Sequence, residues 1–284
     1  MKLSLLILNY NTRGLLRQCL KHIRLANLTI PHEIIVVDNA SADGSLAMLQ
    51  KEFPEVKIFP QEKNLGYAAG NNVGLAAATG EYVFILNPDI FFIDNAAQVM
   101  TQYMDEHQDI ALLGPRLLNA DHTVQHSCFQ YYRWHTPIFR RTPLRETGFG
   151  KMQLDEIFMK DKNLDDIQDV DWLLGGAIMV RRQALDKIGF LDTRYFLYFE
   201  DMDWCRTAHR AGQRVAYFPK VSMIHLHARS SDQLPWFLGF FNKLTRIHIK
   251  SAIKYFAKWR ALESEKDRKE SGILISNEKL PMDL

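Results

Sequence analysis

The sequence has few cysteines and lacks a long apolar run. Its three cysteines, Cys19, Cys128 and Cys205, lie far apart and form no C-x-x-C pair. Isolated cysteines in odd number argue against a disulfide framework or a zinc site and favour a reducing cytoplasm. No apolar stretch has the roughly 20 residues that a membrane-spanning helix needs. The apolar start, Leu3–Leu8, is followed by Asn9 rather than by a cleavage site, so we interpret it as a buried strand.

The chain also lacks a large excess of charge of either sign. Its 35 basic and 33 acidic residues leave a formal net charge of +2, which gives no reason to expect a nucleic-acid partner. Hydrophobic residues make up 47% and charged residues 24%, as in an ordinary globular protein, which argues against disorder over most of the chain. The dinucleotide-binding pattern G-x-G-x-x-G is absent as well, which argues against a dehydrogenase.

The first half of the chain alternates short apolar runs with helical patterns. The predicted strands are Leu3–Leu8, Glu33–Val37, Val56–Phe59 and Tyr82–Leu86. The predicted helices between them are Gly14–Leu25, Ser45–Phe53 and Tyr67–Ala78. Such alternation predicts an α/β fold with a mostly parallel central sheet that is covered by helices on both faces.

Polar residues follow three of these strands, at Asn9-Tyr10, Asp38-Asn39 and Asn87-Pro88-Asp89. Ligands of parallel sheets bind beyond the carboxyl ends of the strands, so we expect the three ends to line one crevice. Asp38 could accept a hydrogen bond from a base imide or a ribose hydroxyl. The competing interpretation is a simple helix entry capped by Asp43 or Ser45.

The segment Asn64–Gly74 contains three glycines and three asparagines at the start of a predicted helix. These residues are poor helix formers, so some contact must compensate for them. Close approach of the backbone to a ligand would do so, and so would tight packing of the helix on the sheet. The sequence leaves both interpretations open.

Two acidic motifs are candidates for chemistry. Asp89, at a strand end, could hold Mg²⁺ or Mn²⁺ on a diphosphate, although Asn-Pro-Asp is also typical of a plain turn. Glu200, Asp201 and Asp203 follow the aromatic run Tyr195–Phe199. Acids at a helix start are favoured by the helix dipole, but aromatic neighbours could also raise the pKa of Asp201 and make it a base.

The rest of the chain is less regular. We predict long loops with one short hairpin between Ala120 and Asp169. Further elements are predicted at Val170–Val180 (strand), Glu200–Ala211 (helix), Arg214–Phe218 (strand) and Ser222–His227 (strand). The expected catalytic domain covers residues 1–232, with a nucleotide-binding half of about 1–118 and an acceptor half of about 119–232.

A basic and aromatic helical extension is predicted over residues 233–284. Its aromatic part is Trp236–Phe241, and its basic residues are Lys243, Arg246, Lys250, Lys254, Lys258 and Arg260. This pattern is typical of a helix that lies on a membrane surface. The alternative is an amphipathic helix that packs on the domain or on a second subunit.

Together these segments resemble the family 2 glycosyltransferases, with the closest similarity to their rhamnosyltransferase branch. The similarity extends over residues 3–231. The stretches that carry it are Leu5–Asn11, Val37–Ser45, Asn64–Asn72, Asn87–Asp89, Trp172–Ala177 and Glu200–Asp201. The resemblance implies the Rossmann-like glycosyltransferase A-type fold.

The resemblance also implies residue roles. The donor nucleotide would contact Asn9, Tyr10, Asp38, Asn39, Asn64, Gly66, Asn71 and Asn87. The acceptor would contact Trp172, Gly175, Gly176 and Glu200. The family's D-x-D metal motif falls at Asn87–Asp89, where Asn87 replaces the first carboxylate. The metal would therefore depend on Asp89 with His225, or with His227 in its place, and Asp201 of the E-D motif would be the catalytic base.

The implied function is inverting transfer of a sugar from a nucleotide-diphosphate donor, dTDP-rhamnose or a UDP-hexose. The implied acceptor is a hydroxyl of a glycan or polyprenyl-linked glycan in cell-surface polysaccharide synthesis, at the cytoplasmic face of the inner membrane, with Mg²⁺ or Mn²⁺ as cofactor. A glycoside hydrolase would also use two carboxylates, but it has no need of a nucleotide crevice. A non-catalytic protein of the same fold that binds nucleotide sugars or glycans is the remaining alternative.

Overall fold

The first half of the chain forms the predicted parallel α/β unit. A computed structural model describes residues 1–226 and 242–270. Its strands there are β1 (Leu3–Asn9), β2 (His32–Asp38), β3 (Lys57–Pro60) and β4 (Tyr82–Leu86). Its helices are α1 (Arg13–Leu25), α2 (Ser45–Glu52) and α3 (Tyr67–Ala77). The four strands pair in parallel in the order β3-β2-β1-β4, which confirms the predicted sheet.

Burial explains these elements. Leu5, Leu6 and Ile7 of β1 have no exposed surface, because helices cover both faces of the sheet. In α1 the buried residues recur at helical spacing, which lays one apolar stripe on the sheet. They are Leu16, Cys19, Leu20 and Ile23.

The second half extends the sheet and adds antiparallel strands. Its strands are β5 (Ile90–Phe92), β6 (Ile110–Leu118), β7 (Val124–Gln125), β8 (Cys128–Phe129), β9 (Gln168–Asp169), β10 (Trp172–Leu173), β11 (Ala177–Arg181) and β12 (Arg214–His225). Its helices are α4 (Ala96–Glu106), α5 (Thr136–Arg141), α6 (Gly148–Ile157), α7 (Leu185–Ile188), α8 (Glu200–Arg210) and α9 (Lys243–Glu270). The main sheet order is β3-β2-β1-β4-β11-β6-β12-β5, with β11 antiparallel to both of its neighbours.

Three sequence-based predictions need correction. Within the range 120–169, where loops and one hairpin were predicted, α5 and α6 form, and β7 pairs with β6, which ends before that range at Leu118. The Thr147 hydroxyl caps α6 by accepting from Gly150 N at 3.1 Å. Val170–Val180 is two strands interrupted at Gly175-Gly176, and the two strands predicted from Arg214 onward are one strand with an irregular register after Phe218.

The C-terminal helix α9 packs on the domain. Ala252, Tyr255 and Trp259 are buried, and the Lys258 ammonium pairs with Asp192 at 2.9 Å and Asp203 at 2.6 Å. For this part of the extension, the structure agrees with the second of the two interpretations, an amphipathic helix that packs on the domain. The aromatic half Trp236–Phe241 and His227 lie outside the described residues, so membrane contact by that half stays a prediction. Within the described ranges no helix is long and apolar enough to span a bilayer.

Replacing Lys258 should strongly destabilise the protein. The Asp203 side chain is 3% exposed, and it also accepts from Trp259 Nε1 at 2.8 Å and from the Tyr195 hydroxyl at 3.2 Å. Lys258→Met would leave a buried carboxylate without its cation, so we expect the free energy of unfolding to fall by about 3 kcal/mol. Urea unfolding measures this. Lys160→Met removes a more exposed ion pair and should cost under about 1 kcal/mol, and equal losses would contradict the assignment.

Candidate active site

The ends of β1 and β2 hold an oriented carboxylate. Asn9 Nδ2 donates to Asp38 Oδ1 at 2.7 Å and to Ser41 Oγ at 3.0 Å, and Ser41 N donates to Asp38 Oδ2 at 3.0 Å. Asn9 and Asp38 are buried, while Tyr10 beside them is 48% exposed. Asn9 therefore positions Asp38, and Tyr10 offers an accessible ring at the same edge. Direct contact of these residues with a nucleotide stays a prediction.

Asn39 ties the end of β2 to the start of α3. Its Nδ2 donates to Asn64 Oδ1 at 2.9 Å and to the Gly66 carbonyl at 3.1 Å, while its Oδ1 accepts from Leu65 N. Asn71 lies further along α3, is fully buried, and donates to the Tyr67 carbonyl at 3.0 Å. These amides hold the segment in place, and a direct ligand contact for any of them also stays a prediction.

The glycines of this segment pack tightly against protein. Gly66 has φ +84°, and a Cβ there would lie 2.4 Å from the Phe196 carbonyl oxygen. Cβ atoms at Gly70 and Gly74 would lie 2.6 Å and 2.0 Å from Leu8 and Leu6 of β1. Close packing therefore accounts for the glycines, while approach of a ligand to this segment stays a prediction.

Asp89 and His225 face each other across paired strands. The turn from β4 into β5 carries Asp89, and β12 pairs with β5 so that His225 lies opposite Ile90. Asp89 Oδ1 lies 3.5 Å from His225 Nε2. The other ring nitrogen, Nδ1, lies 2.7 Å from Oε1 of Gln125. Since that amide oxygen can only accept, we assign the ring proton to Nδ1, which leaves the Nε2 lone pair aimed at Asp89.

This pair fits a divalent cation. Asp89 Oδ1 is buried and makes no hydrogen bond with any described residue, and a cation between the two side chains would be a partner for it. Among residues 1–226 and 242–270 no cluster of three His, Cys, Asp or Glu could hold a metal. The remaining ligands would therefore come from a bound phosphate group or water, as is common for Mg²⁺.

Asp201 lies at the first turn of α8 and accepts two backbone hydrogen bonds. Its Oδ2 accepts from Gly175 N at 2.9 Å and its Oδ1 from Met202 N at 2.8 Å. Burial raises its pKa, and these two bonds oppose the rise. Burial and the charge of Asp201 raise the pKa of Glu200 well above its usual range. Burial therefore disfavours ionisation more strongly at Glu200 than at Asp201, and the role of Asp201 as the base stays a prediction.

The chain entering α8 has an unusual backbone. Tyr198 and Phe199 have φ +70° and +71°, which non-glycine residues rarely adopt. Such residues cost about 1–3 kcal/mol each and persist where surrounding packing fixes them. The Phe199 ring lies 5.1 Å from the ring of His248 and 5.4 Å from that of Tyr255, both on α9. Helix α9 thus helps to hold the segment that presents Glu200 and Asp201.

Two consecutive glycines, Gly175 and Gly176, lie between Asp201 and His225. A Cβ on Gly175 would lie 3.2 Å from Asp201 Oδ2, and one on Gly176 would lie 3.4 Å from His225 Cε1 and 3.5 Å from Asn87 Nδ2. The Gly176 carbonyl accepts from Asn87 N at 2.9 Å. Gly175 therefore hydrogen-bonds to the carboxylate of α8 and the adjacent Gly176 lies beside the imidazole of β12, which brings both side chains near one segment.

Tyr67 and Gln125 are site residues that sequence reasoning missed. The Tyr67 hydroxyl donates to the Gly175 carbonyl, and burial together with the charges of Glu200, Asp201 and Asp89 raises its pKa. Trp172, predicted to contact an acceptor, is buried below these glycines. It stacks on Phe129 at 4.4 Å and donates from Nε1 to the Gln130 carbonyl, so acceptor contact stays a prediction for it.

The family model for glycosyl transferase family 2 matches residues 4–189. This chain belongs to that family. The matched range contains Asp38, the glycine-rich helix start, Asp89 and Gly175-Gly176. Asp201 and His225 lie beyond it; Asp201 is connected to the matched range by the hydrogen bond from Gly175 N, and His225 by its approach to Asp89.

Relatives and solved structures agree with this membership. The chain is 27% identical over 261 residues to the N-acetylglucosaminyl-diphospho-decaprenol L-rhamnosyltransferase of Mycobacterium tuberculosis, covering 84% of this chain and 81% of that protein. It is 24% identical to rhamnosyltransferase WbbL of Escherichia coli, covering 70% and 73%. The fold matches a Pyrobaculum calidifontis mannosyltransferase, solved with GDP-Man and Mn²⁺, at TM-score 0.52 and 18% identity, covering 81% of this chain and 58% of that one. This chain is a family 2 glycosyltransferase with rhamnosyltransferase relatives and a glycosyltransferase A-type fold.

Proposed function

We propose that this glycosyltransferase moves a sugar from a nucleotide-diphosphate donor to an acceptor hydroxyl with inversion at the anomeric carbon. The observation that carries the proposal is the Gly175-Gly176 segment. It lies between the Asp201 carboxylate, which accepts from Gly175 N, and the Asp89–His225 pair. One group suits proton removal from the acceptor and the other suits the diphosphate that leaves.

Asp201 acts on the acceptor in this proposal. The acceptor hydroxyl gives its proton to the Asp201 carboxylate while its oxygen bonds to the anomeric carbon. The bond from that carbon to the diphosphate oxygen breaks, and the electron pair leaves with the diphosphate. One displacement gives one inversion, without a covalent sugar–enzyme intermediate. Glu200 is less suited to be the base because its pKa is raised well above its usual range, and in its protonated form it can donate a hydrogen bond to the acceptor.

Asp89 and His225 would hold a divalent cation, Mg²⁺ or Mn²⁺, on the donor diphosphate. When bound, the cation stabilises the negative charge that develops on the leaving group. Mn²⁺ in the mannosyltransferase of the same fold supports this choice of cofactor. Tyr10, Asp38 and Asn39 are proposed to hold the base and ribose, with Asn9 and Asn64 positioning them, and Asn71 and Gly66 shaping the segment beside them.

The relatives favour a particular donor and acceptor. Both curated relatives named above are rhamnosyltransferases, so dTDP-rhamnose is the first donor to test and UDP-hexoses come second. The mycobacterial relative is named for a decaprenyl-linked acceptor, which supports a polyprenyl-linked glycan here. We therefore place the enzyme in cell-surface polysaccharide synthesis, peripheral at the cytoplasmic face of the membrane.

A direct assay tests the proposal. Purified protein is incubated with dTDP-rhamnose or UDP-hexoses and Mn²⁺, with and without polyprenyl-diphosphate N-acetylglucosamine, and released nucleoside diphosphate is measured. Acceptor-dependent release, with an anomeric configuration in the product opposite to that of the donor, supports the proposal. Donor binding without release under every condition would favour the alternative of a non-catalytic nucleotide-sugar-binding protein, for which Asn87 in place of a carboxylate is the motivating observation.

Gln125 should affect the affinity for the metal although its side chain is not one of the proposed metal ligands. Gln125→Leu removes the acceptor that fixes the His225 ring, so Mn²⁺ affinity in the presence of dTDP should fall about 10–100-fold. Mn²⁺ titration followed by electron paramagnetic resonance measures this without turnover. Gln98→Leu is the matched control, because Gln98 accepts from Thr29, at a distance from the site. An unchanged affinity in Gln125→Leu would remove the positioning role.

A further inference from the structure

Exposed apolar side chains are concentrated in one short insert. Between β8 and β9, residues 133–157 form α5, a 3-10 turn (Pro143–Glu146) and α6, which pack mainly on one another. Trp134 is 73% exposed, Phe149 and Met152 are each 56% exposed, and Leu144 is 48% exposed. Scattered exposed apolar residues need no explanation, but four large ones within 19 residues do.

Ring contacts connect part of this group. Ring centroids of Trp134 and His135 lie 5.3 Å apart, those of His135 and Phe139 5.6 Å, and those of Phe139 and Phe149 5.6 Å. Met152 follows Phe149 by three residues on α6, which places both on one helical face. We call the surface made by Trp134, Leu144, Phe149 and Met152 the apolar insert face.

The sequence of the insert is rich in basic residues. Residues 133–157 contain five basic residues, Arg133, Arg140, Arg141, Arg145 and Lys151, and three acidic ones, Glu146, Asp155 and Glu156. Their net charge is +2, equal to that of the whole chain. The three acids are paired, Glu146 with Arg145, Glu156 with Arg133 and Asp155 with Lys160. Apolar aromatics among basic residues complement a surface of anionic lipid headgroups.

The insert begins close to the segment that precedes the proposed catalytic base, Asp201. Tyr132, immediately before it, contacts Trp172 and Phe199 edge-to-face at 5.4 Å and 6.1 Å. Phe199 precedes Glu200 in the chain. The insert is therefore connected through Tyr132 and Phe199 to the start of the helix that carries Asp201.

We propose that the apolar insert face docks this enzyme on an anionic lipid bilayer, with Trp134 and Phe149 entering the headgroup region. This inference rests on the proposed function, because the purpose of docking would be to bring a lipid-linked acceptor to Asp201. It assigns membrane contact to a described surface that is separate from the C-terminal extension.

Vesicle co-sedimentation of the full chain tests docking independently of catalysis. The probes are phosphatidylcholine vesicles with and without phosphatidylglycerol. Wild type should bind the anionic vesicles, and binding should weaken with added salt. Trp134→Ser with Phe149→Ser should lower the affinity at least about tenfold, because each removes an aromatic side chain from the bilayer. Leu25→Ser on α1, where Leu25 is 78% exposed, is the matched control and should bind as wild type.

Each other outcome overturns the docking proposal. Equal binding by the double variant and Leu25→Ser would place membrane contact elsewhere on the chain, as would absence of binding by wild type. A dimer in sedimentation analysis that the double variant abolishes, with lipid binding unchanged, would make the face a contact between two copies. Release of nucleoside diphosphate with a water-soluble acceptor should be equal in wild type and the double variant. If the proposed function is wrong, this release assay fails while the vesicle assay is unaffected.

Discussion

Asp201→Asn should lower kcat by about 10²–10⁴-fold while the affinity for the donor nucleotide stays nearly unchanged. The substitution keeps the shape of the side chain and removes its basicity. The measurement pairs steady-state turnover, at saturating donor and acceptor, with calorimetric titration of the nucleoside diphosphate. Loss of nucleotide binding would make Asp201 a donor or metal contact instead, and near-normal turnover would remove it as the base.

The local hydrogen bonds require a stability control for this variant. Both Asp201 oxygens accept from backbone N–H groups, so an amide NH₂ would face one of the donors. We expect a loss of about 1–3 kcal/mol in the free energy of unfolding from that group alone. Asp203→Asn gives the comparison: it disturbs the buried contacts to Lys258 and Trp259, so it should lower stability with a much smaller effect on kcat in the folded fraction.

The pH profile offers a second test of the base. A general base works only when ionised, so kcat falls as the pH drops through its pKa. Because burial raises the pKa of Asp201, the acid limb of the profile should lie above the pH at which an ordinary aspartate titrates, near 4. The limb should be absent from the residual activity of Asp201→Asn. An identical limb in both proteins would assign it to another group.

Asp89→Ala should abolish metal-dependent turnover. Asp89 provides the only carboxylate of its motif, and its Oδ1 faces His225 Nε2 at 3.5 Å. A metal at a leaving group contributes several kcal/mol of charge stabilisation, so we expect turnover to fall at least about 10³-fold. The fold should persist, because Leu226 N donates to the Asp89 backbone carbonyl, which alanine retains.

A chelator provides the matching comparison for this variant. Wild type in excess chelator should fall to the level of Asp89→Ala and recover when Mn²⁺ is restored, while Asp89→Ala should not respond to Mn²⁺. Asp121→Ala, at an exposed aspartate in the turn between β6 and β7, should behave as wild type. Full activity of Asp89→Ala, or of chelated wild type, would contradict a metal role for this residue.

The parallel half of the fold was predictable because its signals are local. Buried strands such as β2 read as continuous apolar runs, and the three helices carry regular patterns or stop signals. The insert was not predictable in the same way. Pro137, Pro143, Gly148 and Gly150 make residues 133–157 look like loop, yet α5 and α6 form because Thr147 caps the second helix and Phe139 packs on Phe149.

The same holds for the candidate site: residues with a local sequence signal were predictable, and residues whose partners lie far away in the chain were not. Asp38, Asp89 and Asp201 stand out because each carboxylate occurs at a strand end or a helix start. Gln125 does not stand out, because its strand has two residues and its partner His225 lies 100 positions away. The glycines after Asn64 gave an ambiguous signal, since packing and ligand approach select the same residue, and the packing became visible only in the contacts of Gly66 and Gly74.

A crystal structure with dTDP and Mn²⁺ tests most directly whether Asp201 and the Asp89–His225 pair form one active site. We predict Mn²⁺ coordinated by Asp89, His225 and the diphosphate, with the thymine and ribose against Tyr10 and Asp38. Asp201 should face the β-phosphate across the space that a sugar would fill. Nucleotide bound elsewhere would contradict the account. An example is the groove of about 570 Å³ at the opposite end of the central strands, which is lined by Met1, Leu75, Arg182 and Phe190 among others. So would Mn²⁺ on the diphosphate without contact to Asp89 or His225.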